Sequence, residues 1–179
     1  MNRIALLVML IFAGGLVCVG TAGAADPVIH YEFDCDYTDS AGSYDGTPEN
    51  SSGFDIGWLN QSVLFPEGKH GYVDTSYDRA DGAPFTMNIW VYIEENINTG
   101  SYFICGMKNG EWPDEFWLEY KNGYLKISSY TDDGYDKEGA YSLDLSGEWH
   151  MLTFAYDGDQ KYLGIDGEYV TEHLSLIHI

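Results

Sequence analysis

Apolar and polar residues alternate from Phe85 to Glu94, and this alternation constrains the fold more than any other sequence feature. Successive side chains of a β-strand point to opposite faces of its sheet, so residues at every second position share one face. An alternation of this length therefore predicts a strand that is buried on one face only. The apolar positions are Phe85, Met87, Ile89, Val91 and Ile93.

The remaining sequence consists of short segments rich in Tyr, Phe, Val, Ile and Trp, separated by glycine, aspartate and asparagine. No window has a helical period, and strands at this spacing predict an all-β sandwich or barrel. Asn122-Gly123 predicts a tight hairpin, whereas 36–53 and 131–139 are predicted as polar loops. The other predicted strands are Val28–Asp34, Ser62–Phe65, Gly71–Thr75, Ser101–Met107, Phe116–Tyr120, Tyr124–Tyr130, Trp149–Tyr156 and Lys161–Asp166.

The first 25 residues have the pattern of a secretory signal peptide. Arg3 supplies a positive charge, Ile4 to Gly20 form an apolar run, and Ala22 to Ala25 offer small residues for a signal peptidase. We therefore expect cleavage near Ala24 or Ala25 and a secreted or cell-surface protein without a membrane span. An uncleaved membrane anchor is the alternative interpretation of the same run.

The chain is strongly acidic. It has 29 aspartates and glutamates against 8 lysines and arginines, and its net charge is −21 at pH 7. Cleavage after Ala25 removes one arginine and no acidic residue, which leaves a net charge of −22. Such a charge repels nucleic acid phosphates and anionic membranes, so neither is an expected partner.

Cys35 and Cys105 are the cysteines that remain after cleavage. In an oxidising compartment they can form one disulfide. Each lies in a segment with strand character, so two separate buried thiols are an equal alternative.

Five sequence blocks, in this order, resemble the laminin-G-like jelly rolls of the concanavalin A-like lectin/glucanase class. The resemblance runs from Val28 to Val170, and it depends on the order of the blocks more than on any one of them. The blocks are Val28–Asp34 with Asp39–Thr47, Ser62–Phe65 with Gly71–Asp74, Phe85–Val91, Gly147–His150, and Phe154–Gly158 with Ile165–Gly167.

The resemblance implies one antiparallel two-sheet β-sandwich of the jelly-roll type over residues 26–173. Relatives continue after the last block with closing strands, so we expect this chain to lack them, which would leave a sheet edge uncovered. Residues 174–179 are those that translate from a transposon end common in sequencing libraries, and we interpret them as a non-native tail. Gly164 stands where relatives often have an aromatic residue.

The sequence lacks the spacing of acidic residues that hydrolases of this fold use for catalysis. Hydrolases of this fold carry Glu-x-Asp-x-x-Glu along one strand, which points the carboxylates to one face. The nearest strings here, 111–115 and 166–168, lack that alternation. We therefore predict no catalytic residue, and a glycoside hydrolase of the same fold is an alternative.

Four aspartates cluster in and beside the early polar loop. Carboxylate oxygens in loops suit calcium, and the resemblance implies a calcium ion near this loop, so Ca²⁺ is the one cofactor that we expect. Solvated turn aspartates are the alternative. The candidate ligands are Asp34 and Asp39, followed by Asp36 and Asp45.

Aromatic residues in loops and at hairpin ends predict a surface on which sugar rings stack. Trp90 and Trp149 lie inside predicted strands, so we expect them in the core. An alternative places Trp117 and Tyr120 in the core as well. The candidate ligand-binding residues are Trp112, Trp117, Tyr120, Tyr130, Tyr135 and Trp58.

Together these observations predict a secreted, non-catalytic carbohydrate-binding or adhesion module with calcium as its candidate cofactor. The expected partner is a glycan or an extracellular or cell-surface protein. Besides the hydrolase, a protein-binding or structural module of a larger surface protein is an alternative.

Overall fold

The polypeptide forms antiparallel β-sheets in a computed structural model that describes most of the chain. No helix occurs within the described residues, and none of their segments therefore forms a helix long and apolar enough to cross a membrane. The described residues are 3–6, 26–50, 53–66, 71–77, 83–94, 101–107, 116–131, 134–158 and 160–170.

Thirteen strands are found in these ranges, and they form sheets of seven, four and two strands. The larger sheet has the order β13-β12-β11-β6-β1-β4-β3, the smaller sheet β10-β9-β8-β7, and the ribbon β2-β5. The strands are β1 (Arg3–Leu6), β2 (Thr47–Glu49), β3 (Gly53–Ile56), β4 (Gln61–Pro66), β5 (Tyr72–Asp74), β6 (Phe85–Tyr92), β7 (Ser101–Met107), β8 (Phe116–Lys121), β9 (Tyr124–Thr131), β10 (Gly134–Ser142), β11 (Trp149–Tyr156), β12 (Lys161–Ile165) and β13 (Glu168–Tyr169).

The pairing of β6 with β11 organises the larger sheet. The two strands are in register over eight residue pairs, from Trp149 opposite Tyr92 to Tyr156 opposite Phe85. Burial alternates along β6, as the sequence predicts. The residues of these two strands that face the core are Phe85, Met87, Ile89, Val91, Leu152, Phe154 and Tyr156.

One hydrophobic cluster joins the larger and the smaller sheet. The smaller sheet contributes Leu118, Tyr120, Leu125 and Ile127, which are all buried. Two sheets that share one apolar core between them form a β-sandwich, so the predicted fold class is confirmed.

The hairpin between β8 and β9 turns at the predicted position. Asn122 and Gly123 have φ angles of 52° and 75°, which is the left-handed region that a two-residue hairpin turn requires. The strands on either side pair from Phe116 opposite Ser129 to Lys121 opposite Tyr124.

Four predicted segments differ in the structure, and one of them is the predicted loop at 36–53, which contains β2. Residues 28–34 form only an isolated bridge between Tyr31 and Asp39, because left-handed backbone at Phe33 and Cys35 interrupts the extended chain. The segment at 71–75 pairs as β5 with β2, not with β4. Residues 131–139, predicted as a loop, lie mostly in β10, the edge strand of the smaller sheet.

The position of β1 is not expected from the sequence. Residues 3–6 lie in the predicted signal peptide, yet they form a strand between β4 and β6. Four residues of β1 pair with β4, and Ala5 pairs with Tyr92 of β6.

Replacement of Leu152 by alanine tests the central position of the β6–β11 pair. Leu152 is 1% exposed and lies opposite Ile89 and Ile165. A cavity at this point should lower the free energy of unfolding by about 2–5 kcal/mol. Urea unfolding measures the change, and Ile56→Ala, at a site that is 82% exposed, should change it by less than about 0.5 kcal/mol. Equal effects of the two variants would contradict this account of the core.

Candidate functional site

The side of β6 and β11 that faces away from the core carries large aromatic residues. Residues directly opposite each other in antiparallel strands share a face, so the register places Tyr92 beside Trp149 and Trp90 beside Met151. All four are only partly buried. The rings of Tyr92 and Trp149 lie 5.5 Å apart, which makes them one contiguous aromatic surface.

Trp58 extends this surface from the turn between β3 and β4. Its ring lies parallel to that of Trp90, with 5.2 Å between centroids and 9° between planes. Trp58 is 53% exposed although one of its faces is covered by Trp90. The other face of the indole is therefore available to a flat partner.

A polar pair lies beside these rings. The hydroxyl of Thr153 donates a hydrogen bond of 2.7 Å to the side-chain oxygen of Asn88 directly opposite. Because the amide oxygen of Asn88 accepts this bond, its NH₂ group is the part that can donate to a ligand. Gly164 lies opposite Thr153 on β12 and has no side chain, so the surface is recessed above Gly164.

A second aromatic pair borders this recess on the side of β13. Tyr169 lies opposite Gly164, and its ring is 5.7 Å from that of Tyr162. Tyr169 is exposed. We call this surface the aromatic face, and its members are Trp58, Trp90, Tyr92, Trp149, Asn88, Thr153, Tyr162 and Tyr169.

The aromatic face has the chemistry that sugar rings require. Flat indole and phenol rings pack against the C–H groups of a pyranose, and amide and hydroxyl groups bond its hydroxyls. A planar stack at one end, a polar pair in the middle and tyrosines at the other end can contact neighbouring sugar units together.

The predicted ligand-binding residues are not assembled at one place. Trp58 belongs to the aromatic face, whereas Trp117 lies on β8 of the smaller sheet, partly buried beside the buried Leu118. Tyr130 and Tyr135 lie opposite each other at the end of the β9–β10 pair, in the smaller sheet as well. Trp112 lies outside the described residues.

The prediction for Tyr120 is wrong. This residue is 2% exposed and belongs to the hydrophobic core, so it cannot stack on a ligand. Its hydroxyl accepts a hydrogen bond of 3.4 Å from the backbone N–H of Leu145, which satisfies the buried oxygen. The alternation of β8 places Trp117 and Tyr120 on opposite faces of the strand.

The prediction that Trp90 and Trp149 lie in the core is confirmed only in part. Both contact the cluster as partly buried residues, but their strand positions lie on the face away from Val91 and Leu152. The signal is present in the sequence, because the alternation that buries Val91 turns its neighbour Trp90 outward. In that prediction, large residue size outweighs the strand period.

Asp39 is a structural residue of the early loop. It is 4% exposed, and backbone N–H groups of its own loop and of the preceding segment surround its carboxylate. His30 and Ala41 donate to Oδ1 at 2.8 and 3.1 Å, and Tyr44 donates to Oδ2 at 3.1 Å. We call residues 39–44 the Asp39 loop.

These donors decide the charge state of Asp39. Desolvation by burial alone would raise its pKa, but hydrogen bonds from the N–H groups of His30, Tyr44, Ala41 and Gly42 outweigh it and lower the pKa below its ordinary value. A Cβ atom at Gly42 would lie 2.8 Å from Oδ2 of Asp39, so the loop closes this tightly only with glycine. The carboxylate is therefore ionised and held by its own loop.

Asp39 does not fit the role of a calcium ligand. Its oxygens face backbone N–H donors, which occupy the lone pairs that a cation needs. The other candidates also accept hydrogen bonds: Asp45 from the N–H of Asp39, Asp36 from that of Thr38, and Asp34 from the side chain of Asn60. Across the described part of the chain, no three His, Cys, Asp or Glu side chains form a group that could hold a metal ion.

The predicted disulfide is not formed, since Cys35 and Cys105 are both free thiols. Cys35 is exposed, and its Sγ lies 2.7 Å from the side-chain oxygen of Gln61, so the alternative of two buried thiols is wrong for this residue. Burial raises the pKa of the Cys105 thiol, despite a hydrogen bond from the backbone of Leu118, and a raised pKa keeps it protonated at neutral pH.

The segments 111–115 and 166–168 come nearest to the acidic pattern of the hydrolases. In the second of them, the acidic residues do not alternate along one strand. Asp166 lies in the turn after β12, with φ at 53°. Its carboxylate accepts hydrogen bonds of 2.8 Å from the backbone N–H of Met151 and contacts Nδ1 of His150 at 2.8 Å. The string at 111–115 lies outside the described residues.

Replacement of Asp39 by asparagine tests the loop. The folded pKa lies below the value of about 3.9 for a free aspartate, so the stability that ionisation adds is present above this pH and is lost as the pH falls further. An asparagine side chain at this position would lack the charge and would present its NH₂ group to N–H donors. We expect Asp39→Asn to lower the unfolding free energy at pH 7 by about 1.5–3 kcal/mol and to flatten its decline as the pH falls below about 4.

Urea unfolding across this pH range measures both effects. Asp36→Asn is the matched control, because Asp36 is exposed and accepts one backbone hydrogen bond that asparagine can also accept. A variant at Asp39 that unfolds like this control would show that the buried carboxylate has no special role.

The comparisons with known proteins agree with the fold. Residues 67–175 match the laminin-G-like family model described as the concanavalin A-like lectin/glucanases superfamily, which is more than half of the chain. The searches of curated proteins and of solved structures gave no match. Laminin-G-like domains bind glycans or proteins, so the match supports a carbohydrate-binding or adhesion module in general. The resemblance seen in the sequence is thus confirmed, and the chain belongs to the concanavalin A-like lectin/glucanases superfamily.

Proposed function

We propose that this protein is a secreted, non-catalytic module that binds carbohydrate on the aromatic face. The observation that carries the proposal is the stacked pair of Trp58 and Trp90, in which Trp58 remains 53% exposed. A large aromatic residue on a turn lowers solubility without improving the core, and this disadvantage is offset when a ligand covers it.

The arrangement of the aromatic face favours a sugar over a purely apolar ligand. Trp90 holds the indole of Trp58 in one plane, so little side-chain freedom is lost when a ring stacks on it. Asn88 and Thr153 lie further along the same strands, where the hydroxyls of a bound sugar need donors and acceptors. The strongly acidic chain disfavours anionic glycans, so we infer a neutral polysaccharide.

In this proposal, glycan binding on the aromatic face does not depend on calcium. The carboxylate of Asp39 is used by its loop, which leaves Asp34, Asp36 and Asp45 as the predicted ligands near one another in sequence. None of these three belongs to the aromatic face. We therefore expect glycan binding to persist when calcium is removed with a chelator.

Trp58→Ala tests the aromatic face directly. Loss of one stacking ring should weaken binding to neutral polysaccharides at least about fivefold, since an aromatic contact contributes about 1 kcal/mol or more. Tyr124→Ala is the matched control, because Tyr124 is 44% exposed and lies in the smaller sheet, away from the aromatic face. Isothermal titration against a panel of soluble glycans measures both affinities.

Two outcomes of that experiment contradict the proposal. Binding that survives Trp58→Ala but is lost in Tyr124→Ala would place the glycan site on the other sheet. Release of reducing sugar from the same panel would show a glycoside hydrolase instead of a non-catalytic module. The glycan measurements are made with and without calcium, so that dependence is read from the same series.

Asn88→Ala tests whether hydrogen bonding belongs to the same site. The side-chain oxygen of Asn88 pairs with Thr153 and its NH₂ group can serve a sugar hydroxyl, so we expect a fall in affinity of about fivefold to tenfold. Thermal unfolding controls for loss of structure. An unchanged affinity would restrict the site to the stacked tryptophans.

A further inference from the structure

The aromatic face carries pairs of rings at two separate places. Trp58 and Trp90 stack at one of them, and we call these two residues the tryptophan pair. Tyr162 and Tyr169, with 5.7 Å between their ring centroids, form the other, which we call the tyrosine pair. Each pair has one ring that is more than half exposed, since Trp58 is 53% and Tyr169 is 61% exposed. Each pair can therefore offer a ring to a ligand.

The register of the larger sheet fixes how far apart the two pairs lie. Trp90 of β6 lies opposite Met151 of β11. Ala155 of β11 lies opposite both Thr86 of β6 and Tyr162 of β12, so Tyr162 is two strands across and four residues along from Trp90. With about 4.8 Å between strands and about 3.4 Å per residue, the two Cα atoms are about 17 Å apart. Packed rings lie about 5 Å apart, so a single sugar ring cannot contact both pairs.

A polar residue lies halfway between the two pairs. From Trp90, a step of one strand across and two residues along leads to Thr153, and an equal step leads on to Tyr162. These three residues therefore lie on one diagonal of the sheet and on the same outer side. The hydroxyl of Thr153 donates to the side-chain oxygen of Asn88, whose NH₂ group can donate to a sugar hydroxyl. Gly164 beside Thr153 has no side chain that could separate the two pairs.

Neighbouring groups hold the tyrosine pair in position without a ligand. The hydroxyl of Tyr162 donates a hydrogen bond of 2.6 Å to Oδ2 of Asp157, in the turn between β11 and β12. Oδ1 of the same carboxylate accepts a bond of 2.7 Å from the backbone N–H of Gln160, which fixes the carboxylate in turn. A ring that is already held loses little side-chain freedom when a sugar stacks on it. The tyrosine pair is thus preorganised, as the tryptophan pair is.

We propose that the tryptophan pair and the tyrosine pair are two subsites for one linear polysaccharide chain, which crosses β6, β11 and β12 along this diagonal. This inference rests on the proposed function and adds to it the length and shape of the ligand. A chain that contacts both pairs needs at least about four sugar units, because about three ring spacings separate the pairs. It must also stay straight over this length, which favours extended β-1,4-linked chains over α-1,4-linked chains, which coil.

Two linked subsites make the affinity depend on the length of the chain. Once one pair has bound a long oligosaccharide, contact with the other pair is intramolecular and occurs at a high effective concentration. A short oligosaccharide reaches one pair only. We therefore expect a hexasaccharide to bind at least about tenfold more tightly than the trisaccharide of the same series.

Isothermal titration of the full chain with β-1,4-linked oligosaccharides of glucose, mannose and xylose tests this dependence. Each series runs from the disaccharide to the hexasaccharide, and at least one of them should show the tenfold rise. The α-1,4-linked glucose oligosaccharides of the same lengths are the control for chain shape, and they should show no such rise. An equal rise in the α-linked series would overturn the proposal of an extended chain.

Replacement of Tyr169 by alanine tests the second subsite. We expect Tyr169→Ala to reduce the ratio of hexasaccharide to trisaccharide affinity at least about fivefold, because a longer chain then gains no second ring. Tyr169→Phe keeps the ring and should restore the ratio. Tyr72→Ala is the matched control, since Tyr72 is 54% exposed but lies in the ribbon β2-β5 outside the larger sheet. Thermal unfolding shows whether each variant is folded.

The outcomes separate this proposal from the carbohydrate proposal on which it rests. An affinity that is independent of chain length, or a ratio that survives Tyr169→Ala, would overturn the two subsites. Failure of every hexasaccharide to bind would overturn them as well. In each of these cases, binding to another neutral glycan that Trp58→Ala weakens would leave the carbohydrate proposal intact, whereas no binding to any glycan would reject both.

Discussion

The register between β6 and β11 is the constraint on which the rest of the structure depends. Eight consecutive residue pairs fix which side chains of both strands face inward, because a shift by one residue would turn each of them to the other side. Met87, Ile89 and Leu152 then enter the core, while Trp90 and Trp149 are held on the outside. The core and the candidate site therefore lie on opposite sides of the same strand pair.

The Asp39 loop is a second constraint, which attaches the N-terminal segment to the sandwich. Backbone N–H donors to one buried carboxylate fix the chain around Tyr31, whose hydroxyl donates to the backbone oxygen of Tyr44. Burial first, and then the charges of nearby carboxylates including that of Asp39, raise the pKa of Tyr31, so it stays a neutral donor. Tyr31 and Phe33 stack at 5.3 Å and extend the core beneath the loop.

Structural features that depend on a few neighbouring residues are predicted correctly from the sequence. The alternation of β6 and the Asn122-Gly123 turn are correctly predicted because side-chain period and positive φ are properties of a few neighbouring residues. The strand character of 134–142 is missed because an edge strand tolerates charges and glycine, which also indicate loops. The partner of β5 cannot be read from the sequence, since the nearest strand along the chain is β4 and the observed partner is β2.

The candidate site is predictable only in part, for the same physical reason. The exposure of Trp58 is predictable because a tryptophan in a polar turn has no core to enter. Asp39 is assigned to calcium because a buried carboxylate that binds backbone N–H groups and one that binds a cation have the same short sequence context. The difference between them is tertiary, and it emerges only when His30 is placed beside the loop.

The pairing of β1 and the aromatic face meet at one point of the larger sheet. Tyr92 contributes its ring to the aromatic face, and its backbone lies opposite Ala5 of β1. Because Ala5 also lies opposite Leu64, the register places Trp90 level with the start of β4, close to the turn that carries Trp58. The spacing between β4 and β6 therefore sets how Trp58 reaches Trp90. A strand that holds this spacing would preorganise the indole pair, and a sheet that opened there would separate the two rings on which the sugar is proposed to stack.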